Sequence, residues 1–309
     1  RLMRVALGRT GLQVHPLCLG GNVFGWSANA EQSQEVLAAY ETSGGNFIDT
    51  ADMYSRWHSG NVGGESETII GDWMKARGNR SEMVIATKVA KLATRPGLSA
   101  ANIAAAAEDS LRRLDTDYID IYYAHHDDEE VPLEESLTAL NELVTAGKVR
   151  YLAASNYSAA RLEEALKISR DLGMSEYLLL QPNYNAIVRN EYEGDLMAVA
   201  VKEDIPVLPY FSLAAGFLTG KYQPGVEVDS VRAGDMPDYK NDRGWAILNA
   251  ITEIAKQENT SIAAVALGWL RAQPGVVTPI ASARTTEQLA EILPVVELSA
   301  EQVAQVNAL

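Results

Sequence analysis

Eight short apolar runs, each followed by a longer amphipathic stretch, constrain this chain more than any other feature. The runs fall at 17–20, 46–49, 83–87, 118–124, 149–154, 178–181, 205–210 and 276–280. Apolar residues recur at helical spacing near 31–43, 66–77, 99–113, 133–146, 158–172, 191–203 and 242–258, and a further pair at 261–272 and 285–292 surrounds the last run. Strands and helices in strict alternation predict a parallel sheet. Eight strands are the number that closes a barrel, with a doubly wound open sheet as the rival. Ahead of them, "MRVAL-GRTG-LQVHP" reads as a β-hairpin with Gly8 and Gly11 in its turn. The tail, "LSAEQVAQVNAL", has helical spacing. Gly147 stands just past a helix as a C-cap, and Asn156 and Ser158 precede one as N-cap candidates.

The 309 residues are 47% hydrophobic and 22% charged, an ordinary globular composition with a core large enough to need no disulfide or metal staple. No linker composition marks a domain boundary. Cys18 is the only cysteine, so no intramolecular disulfide is expected, which fits a reducing compartment. The net charge of −15 argues against nucleic acid or an anionic membrane as partner. No apolar run has transmembrane length, and "RLMRVALGRTG" lacks the apolar stretch of a signal peptide. The expected location is the cytoplasm. The polar stretch 221–242 is too long for a routine connection and predicts a functional lid or mobile loop.

In a parallel barrel, chemistry sits where strands end and loops begin. The polar residues there are Asp49, Lys88, His125, Ser155, Asn156, Gln181, Asn183 and Tyr210. Side chains alternate along a strand, so Phe47 and Asp49 share a face, as do Val84, Ala86 and Lys88, and Ile119, Ile121, Tyr123 and His125. Each ionisable group continues an apolar row, as an inward-facing end residue would. Taken singly, each is also a satisfied polar cap on a barrel rim. Together, with Tyr54 five residues after Asp49, they suit proton transfer. A phenol titrates near 10, too high for easy exchange at neutral pH. A neighbouring ammonium favours the phenolate and lowers that value. Asp49 would keep Lys88 charged, Lys88 would tune Tyr54, and Tyr54 would donate a proton. A neutral His125 would orient a carbonyl. Such a site suits a carbonyl that receives a hydride on carbon and a proton on oxygen.

These residues lie in "NFIDTADMY", "ATK", "DYIDIYYAHHDD", "SNYS", "QPNYN", "PYFSLAAGFLTGK" and "TPIASARTTEQL". Their order and spacing resemble the aldo-keto reductase family over nearly the whole chain. The resemblance implies one (β/α)8 TIM-barrel domain over 1–309, with the N-terminal hairpin and extra C-terminal helices. It implies a catalytic tetrad of Asp49, Tyr54, Lys88 and His125. It also implies NADPH, with NADH as the alternative, bound in an extended pose without a Gly-rich dinucleotide fold. Ser155, Asn156 and Gln181 would then hold the carboxamide, and Tyr210 would stack on the nicotinamide. Phe211, Ser212, Leu213, Ala215, Gly216 and Lys221 would follow the pyrophosphate. Ser282, Arg284, Gln288 and Glu291 would surround the adenosine, with Gly21 and Asn22 near the ribose and the catalytic centre. Departures from the commoner family pattern are "YFSL" at 210–213, Ser282 and Ile292.

Arg284 also has a plain alternative, pairing with Glu287 or Glu291 on one helix. Trp26, Trp57 and His58 are expected in the substrate-pocket wall beside Tyr54 and His125, or as ordinary loop aromatics. His126 points away from His125, and with Asp127 and Asp128 it does not make a convincing metal site, so no metal is expected. The expected activity is reduction of a small aldehyde or ketone, or oxidation of the alcohol. The alternatives are an NADPH-binding regulatory subunit and a Schiff-base lyase with Lys88 as nucleophile. The lyase needs a depressed lysine pKa, which Asp49 opposes.

Overall fold

The structure, a computed structural model, describes residues 3–222, 224 and 239–309. The chain opens with the antiparallel hairpin β1 (Val5–Ala6) and β2 (Gln13–Val14). Gly8 and Gly11, both at positive φ, turn it. Then come β3 (Cys18–Gly20), α1 (Ala30–Thr42), β4 (Phe47–Asp49), α2 (Glu65–Arg77) and β5 (Val84–Val89). A small hairpin, β6 (Lys91–Leu92) with β7 (Arg95–Pro96), precedes α3 (Ala100–Leu114). The alternation resumes with β8 (Ile119–Ala124), α4 (Leu133–Thr145), β9 (Val149–Ser155), α5 (Ala159–Asp171), β10 (Tyr177–Gln181) and α6 (Asp195–Lys202). The chain ends with α7 (Asp242–Glu258), α8 (Ile262–Arg271), β11 (Ile280–Ala281), α9 (Thr286–Ile292) and α10 (Ala300–Asn307). Much of the expected lid at 221–242 lies outside the described residues.

Seven strands form one parallel sheet in the order β10, β9, β8, β5, β4, β3, β11. The expected seventh run, 205–210, is the eighth stave, although it forms only isolated bridges. Pro206 and Pro209 have no N–H to give, so a continuous ladder is impossible there. The residues between them still pair on both sides. Leu208 N donates to Leu180 O at 2.9 Å, and Val207 N donates to Gly275 O at 2.9 Å. The ring therefore closes as a (β/α)8 barrel.

Two apolar layers follow from the alternation of side chains. Phe47, Val84, Ala86, Ile121, Tyr123, Ala153, Leu179, Leu208 and Ile280 fill the barrel. Leu7, Leu12 and Val14 of the hairpin join that cluster and stopper one end of it. The opposite faces of the strands pack against the ring of helices, and Ile119, expected on the inner row, belongs to this outer layer. Gly147, at φ 76°, ends α4 as expected. Ser158 caps α5 through Arg161 N, while Asn156 is used elsewhere.

Glycine decides how closely α2 approaches α3. A Cβ on Gly71 would lie 2.5 Å from Arg113 O and 2.7 Å from Leu114 C. Both are backbone atoms and cannot swing aside. Gly71→Ala is therefore expected to destabilise the fold by about 1–3 kcal/mol, the usual cost of overpacking. Chemical denaturation checks this, and unchanged stability would mean that the two helices can separate without loss.

Candidate active site

The open end of the barrel gathers the strand-end residues. Asp49 ends β4, and the turn after it carries Tyr54 back over the rim through Tyr54 N to Ala51 O, 3.2 Å. Lys88 lies near the end of β5 and is fully buried. Its ammonium donates to Asp49 Oδ2 at 2.6 Å, Thr50 O at 2.7 Å and Tyr54 Oη at 3.2 Å. Those three partners use all three of its N–H groups. Tyr54 Oη lies 3.5 Å from Asp49 Oδ2, and Gln181 Nε2 donates to Asp49 Oδ1 at 3.1 Å. His125 follows β8, with its ring 6.1 Å from that of Tyr54.

Burial, then the Asp49 carboxylate, raise the Tyr54 phenol well above its ordinary value. The sequence led to the opposite expectation, that Lys88 would lower it. Loss of hydration and a carboxylate beside the hydroxyl outweigh the ammonium. Burial, then the Lys88 and Lys91 charges, push the His125 imidazole well below its usual range. The ring is thus neutral, as expected, and among the described residues its buried Nδ1 has no partner.

Ser155, Asn156, Gln181 and Tyr210 form one connected patch beside the tetrad. Ser155 Oγ donates to Gln181 O at 2.7 Å, Asn156 Nδ2 to His125 O at 2.9 Å, and Tyr210 Oη to Asn156 Oδ1 at 2.6 Å. Asn156 sits at φ 56°, a conformation asparagine tolerates better than most residues. Beyond Tyr210 the backbone is strained. Phe211, Ala214, Ala215 and Gly216 all have positive φ, and Ala214 N and Gly216 N donate back to Phe211 O and Leu213 O at 2.9 and 3.1 Å, which makes the turn tight. Ser212 is fixed by its Oγ to Pro209 O at 3.0 Å, with Leu213 next to it. Lys221 lies against this turn, because a Cβ on Gly216 would meet its Cε at 2.7 Å. These features fit the phosphates of a dinucleotide.

Gly21 N donates to Asp49 O at 2.7 Å, and the Asn22 side chain bonds the Ser282 hydroxyl. Gly20 allows that approach, since a Cβ there would sit 2.6 Å from Ser282 Oγ. Thr285 caps α9 through Gln288 N at 3.1 Å, and Gln288 Oε1 accepts from Arg284 N at 3.0 Å. Among the described residues no ion pair joins the Arg284 guanidinium to Glu287 or Glu291. Glu291 is exposed.

Trp26 and Trp57 stack edge to face at 5.5 Å, and Trp57 lies 6.1 Å from Tyr54. Trp57 is 43% exposed, and His58 and Trp26 line an open cleft next to it. His126 faces Asp127 O at 2.7 Å, and Asp127 pairs with Arg161 at 2.6 Å. Among the described residues no group of three or more metal-ligating side chains comes together. Sequence reading missed Asp52, Glu67 and Arg113, a buried charged group behind the Tyr54 turn. Its only advance signal was polar residues on otherwise buried helix faces.

Neutral imidazoles have an acid consequence. Burial, then Arg4 and Arg271, take His15 down to about 4, and His125 is also lowered. Both stay neutral in the fold but gain a proton in the unfolded chain below about 6.5. Stability is therefore lost as pH falls from about 6.5 towards 4. NMR titration should find His15 and His125 unprotonated at pH 5.5, and His125→Asn should remove one of these two signals. Protonation of both by that pH would contradict the burial argument.

Residues 16–309 match the aldo/keto reductase family profile. The chain is 32% identical to a probable voltage-gated potassium channel subunit beta from Oryza sativa subsp. japonica, covering 92% of this chain and 88% of that protein. It is 33% identical to a putative voltage-gated potassium channel subunit beta from Schizosaccharomyces pombe, covering 94% and 87%. An NADP(+) aryl-alcohol dehydrogenase from Phanerodontia chrysosporium is 30% identical, covering 94% and 80%. With the closed barrel and the strand-end cluster, this match places the chain in the aldo/keto reductase family, a family of oxidoreductases.

Proposed function

We propose that the whole chain, 1–309, acts as one barrel domain that reduces a small aldehyde or ketone with NADPH, or oxidises the alcohol. The observation that carries this is the Lys88 ammonium, placed between Asp49 and Tyr54 at 2.6 and 3.2 Å. When bound, the nicotinamide supplies or accepts the hydride. The protein's own residues handle the proton. Tyr54, kept protonated by burial and Asp49, donates it to the substrate oxygen. The Lys88 N–H already aimed at Tyr54 Oη stabilises the phenolate left behind. Neutral His125 hydrogen-bonds the same substrate oxygen and orients it.

Ser155, Asn156 and Gln181 hold the carboxamide, and Tyr210 lies along the ring. The strained turn 211–216 with Lys221 takes the pyrophosphate. Ser282, Arg284, Gln288 and Glu291 receive the adenosine end, with Gly21 and Asn22 at the catalytic side. An arginine fork suits phosphate, and among the described residues no carboxylate pairs with Arg284. That favours NADPH over NADH.

The Oryza sativa and Schizosaccharomyces pombe relatives favour a second reading, an NADPH-binding regulatory subunit with slow turnover. Steady-state oxidation of NADPH with simple aldehydes separates the two. Fast turnover supports the reductase, and tight binding without turnover supports the subunit.

Tyr54→Phe is expected to cut carbonyl reduction at least about 10²-fold, the value of a positioned general acid. Its NADPH dissociation constant should stay near that of wild type. Wild-type turnover in this variant would remove Tyr54 from the role. Lys88→Met should be as damaging, and the double variant little worse than either single, because the two act as one unit. Multiplicative losses would mean that they act independently.

Arg284→Ala tests the cofactor reading through binding alone. NADPH affinity should weaken by roughly 2 kcal/mol, within the range for charge-assisted hydrogen bonds. NADH affinity should hardly move. Equal weakening of both cofactors, or of neither, would show that Arg284 does not read the extra phosphate.

A further inference from the structure

Behind the Tyr54 turn, two carboxylates share one buried site with a single arginine. Asp52 is 1% exposed and Glu67 is fully buried. Glu67, in the first turn of α2, accepts from Arg113 Nε at 2.8 Å and from Thr87 Oγ at 2.7 Å. Both of its oxygens are used. Among the described residues neither carboxylate oxygen of Asp52 has a side-chain partner, and only the backbone N–H of Met53 reaches it. The groups facing Asp52 are Glu67 from α2, Arg113 from α3, Lys88 from β5 and the buried Tyr122 from β8. Tyr122 has its own hydroxyl unpaired. Lys88 is already committed to Asp49, Thr50 and Tyr54.

The position of this site gives it leverage. Asp52 N donates to Lys88 O at 3.3 Å, and Thr87, which holds Glu67, is the residue before Lys88. Asp52 is also two residues from Tyr54, in the turn that delivers the phenol and then Trp57. Whatever moves the Asp52 side chain moves the turn that sets Tyr54 against Lys88.

We infer that Asp52 is a positioning residue, a neutral carboxylic acid whose one proton lets the Tyr54 turn sit against Glu67 and α2. With the proton in place, Glu67 is balanced by Arg113 and the buried site carries no excess charge. When the proton leaves to bulk water, two buried carboxylates face one guanidinium, and their repulsion lifts the turn and withdraws Tyr54 from Lys88. No other bond changes. Burial first, then Glu67, raise the Asp52 carboxyl from its ordinary 3.8 to about 8, which puts the release just above neutral pH. The sign follows from linkage: the folded chain holds this proton and the unfolded chain does not, so the contribution of Asp52 to stability falls as pH rises from about 4 to about 8, opposite in sign to that of the two histidines. The catalytic consequence rests on the reductase reading, and the movement of the turn does not.

Two readouts test this on the full chain between pH 6 and 10. Tryptophan emission reports the turn, because Trp57 packs on Trp26 and beside Tyr54. The profile of kcat/KM with NADPH and an aldehyde, scaled to each variant's own maximum, reports the chemistry. Wild type is expected to show a one-proton emission change near pH 8 and a limb at the same pH that falls about tenfold per unit above it. Asp52→Asn, neutral at every pH and of the same size, should lose both. Glu67→Gln leaves one carboxylate opposite Arg113 and should also lose the transition near 8, which keeps the test available if the first variant folds poorly. A transition with the same midpoint in both variants overturns the inference, and the reductase reading then stands on its rates alone. An emission change that vanishes in both variants, in a protein with no turnover at any pH, supports the inference while defeating the reductase reading.

Discussion

The buried Lys88–Asp49 pair is the constraint around which the open end of the barrel is arranged. Taking an ammonium and a carboxylate out of water costs several kcal/mol per ion, and the pair persists only because its other bonding positions are filled. Thr50 O and Tyr54 Oη complete the ammonium, and Gln181 completes the carboxylate. The pair comes from β4 and β5, and its partners from the turn after β4 and from β10. The pair can form only if the ring closes in the right register, so fold and site specify each other. Phe47 and Asp49 share a strand face because the pleat alternates, and the register Asp49 opposite Ala86 brings Lys88 past the end of β4.

The two ends of the barrel divide the work. The hairpin seals one mouth with Leu7, Leu12 and Val14. At the other mouth every strand ends in a group that bonds a neighbouring strand end. Local strain collects there too, at Asn156, Phe211, Ala214 and Ala215. Non-glycine residues at positive φ are held only where their surroundings overdetermine them. Asn156 is held by His125 O and the Tyr210 hydroxyl, and Phe211 by the Asn185 side chain on its carbonyl.

Much of this was legible in the sequence, and the illegible parts share a cause. The alternating runs identified the staves, and period-2 spacing put Asp49, Lys88 and His125 on inward rows. Those are local properties. The 205–210 stave was visible as an apolar run, but its broken ladder depends on which backbone groups Pro206 and Pro209 would have offered across two neighbours. The β6–β7 hairpin is too short for a periodic signal. The direction of the Tyr54 shift was misjudged because a list of neighbouring charges omits desolvation, which is the largest influence once the hydroxyl is buried. Glu67 and Arg113 looked like ordinary helix residues, 46 apart in sequence, until α2 and α3 packed at Gly71.

The turn between Asp49 and Tyr54 shows how one short segment sustains two opposite electrostatic settings. Asp49 faces into the barrel and meets an ammonium at 2.6 Å. Asp52 lies on the outer side, where Glu67 is the largest influence after burial itself. One carboxylate is given its own counter-charge, and the other shares the Arg113 guanidinium with Glu67. Environments that separate two carboxyl groups in this way assign them different tasks. Asp49 anchors the charge on which Tyr54 depends, and Asp52 makes the seating of Tyr54 conditional on a proton. Both effects act on the same phenol from opposite sides of a single strand end. The three-residue spacing in "DTAD" is therefore a physical requirement: it lets the chain turn from the barrel interior to the helix layer before it returns with Tyr54.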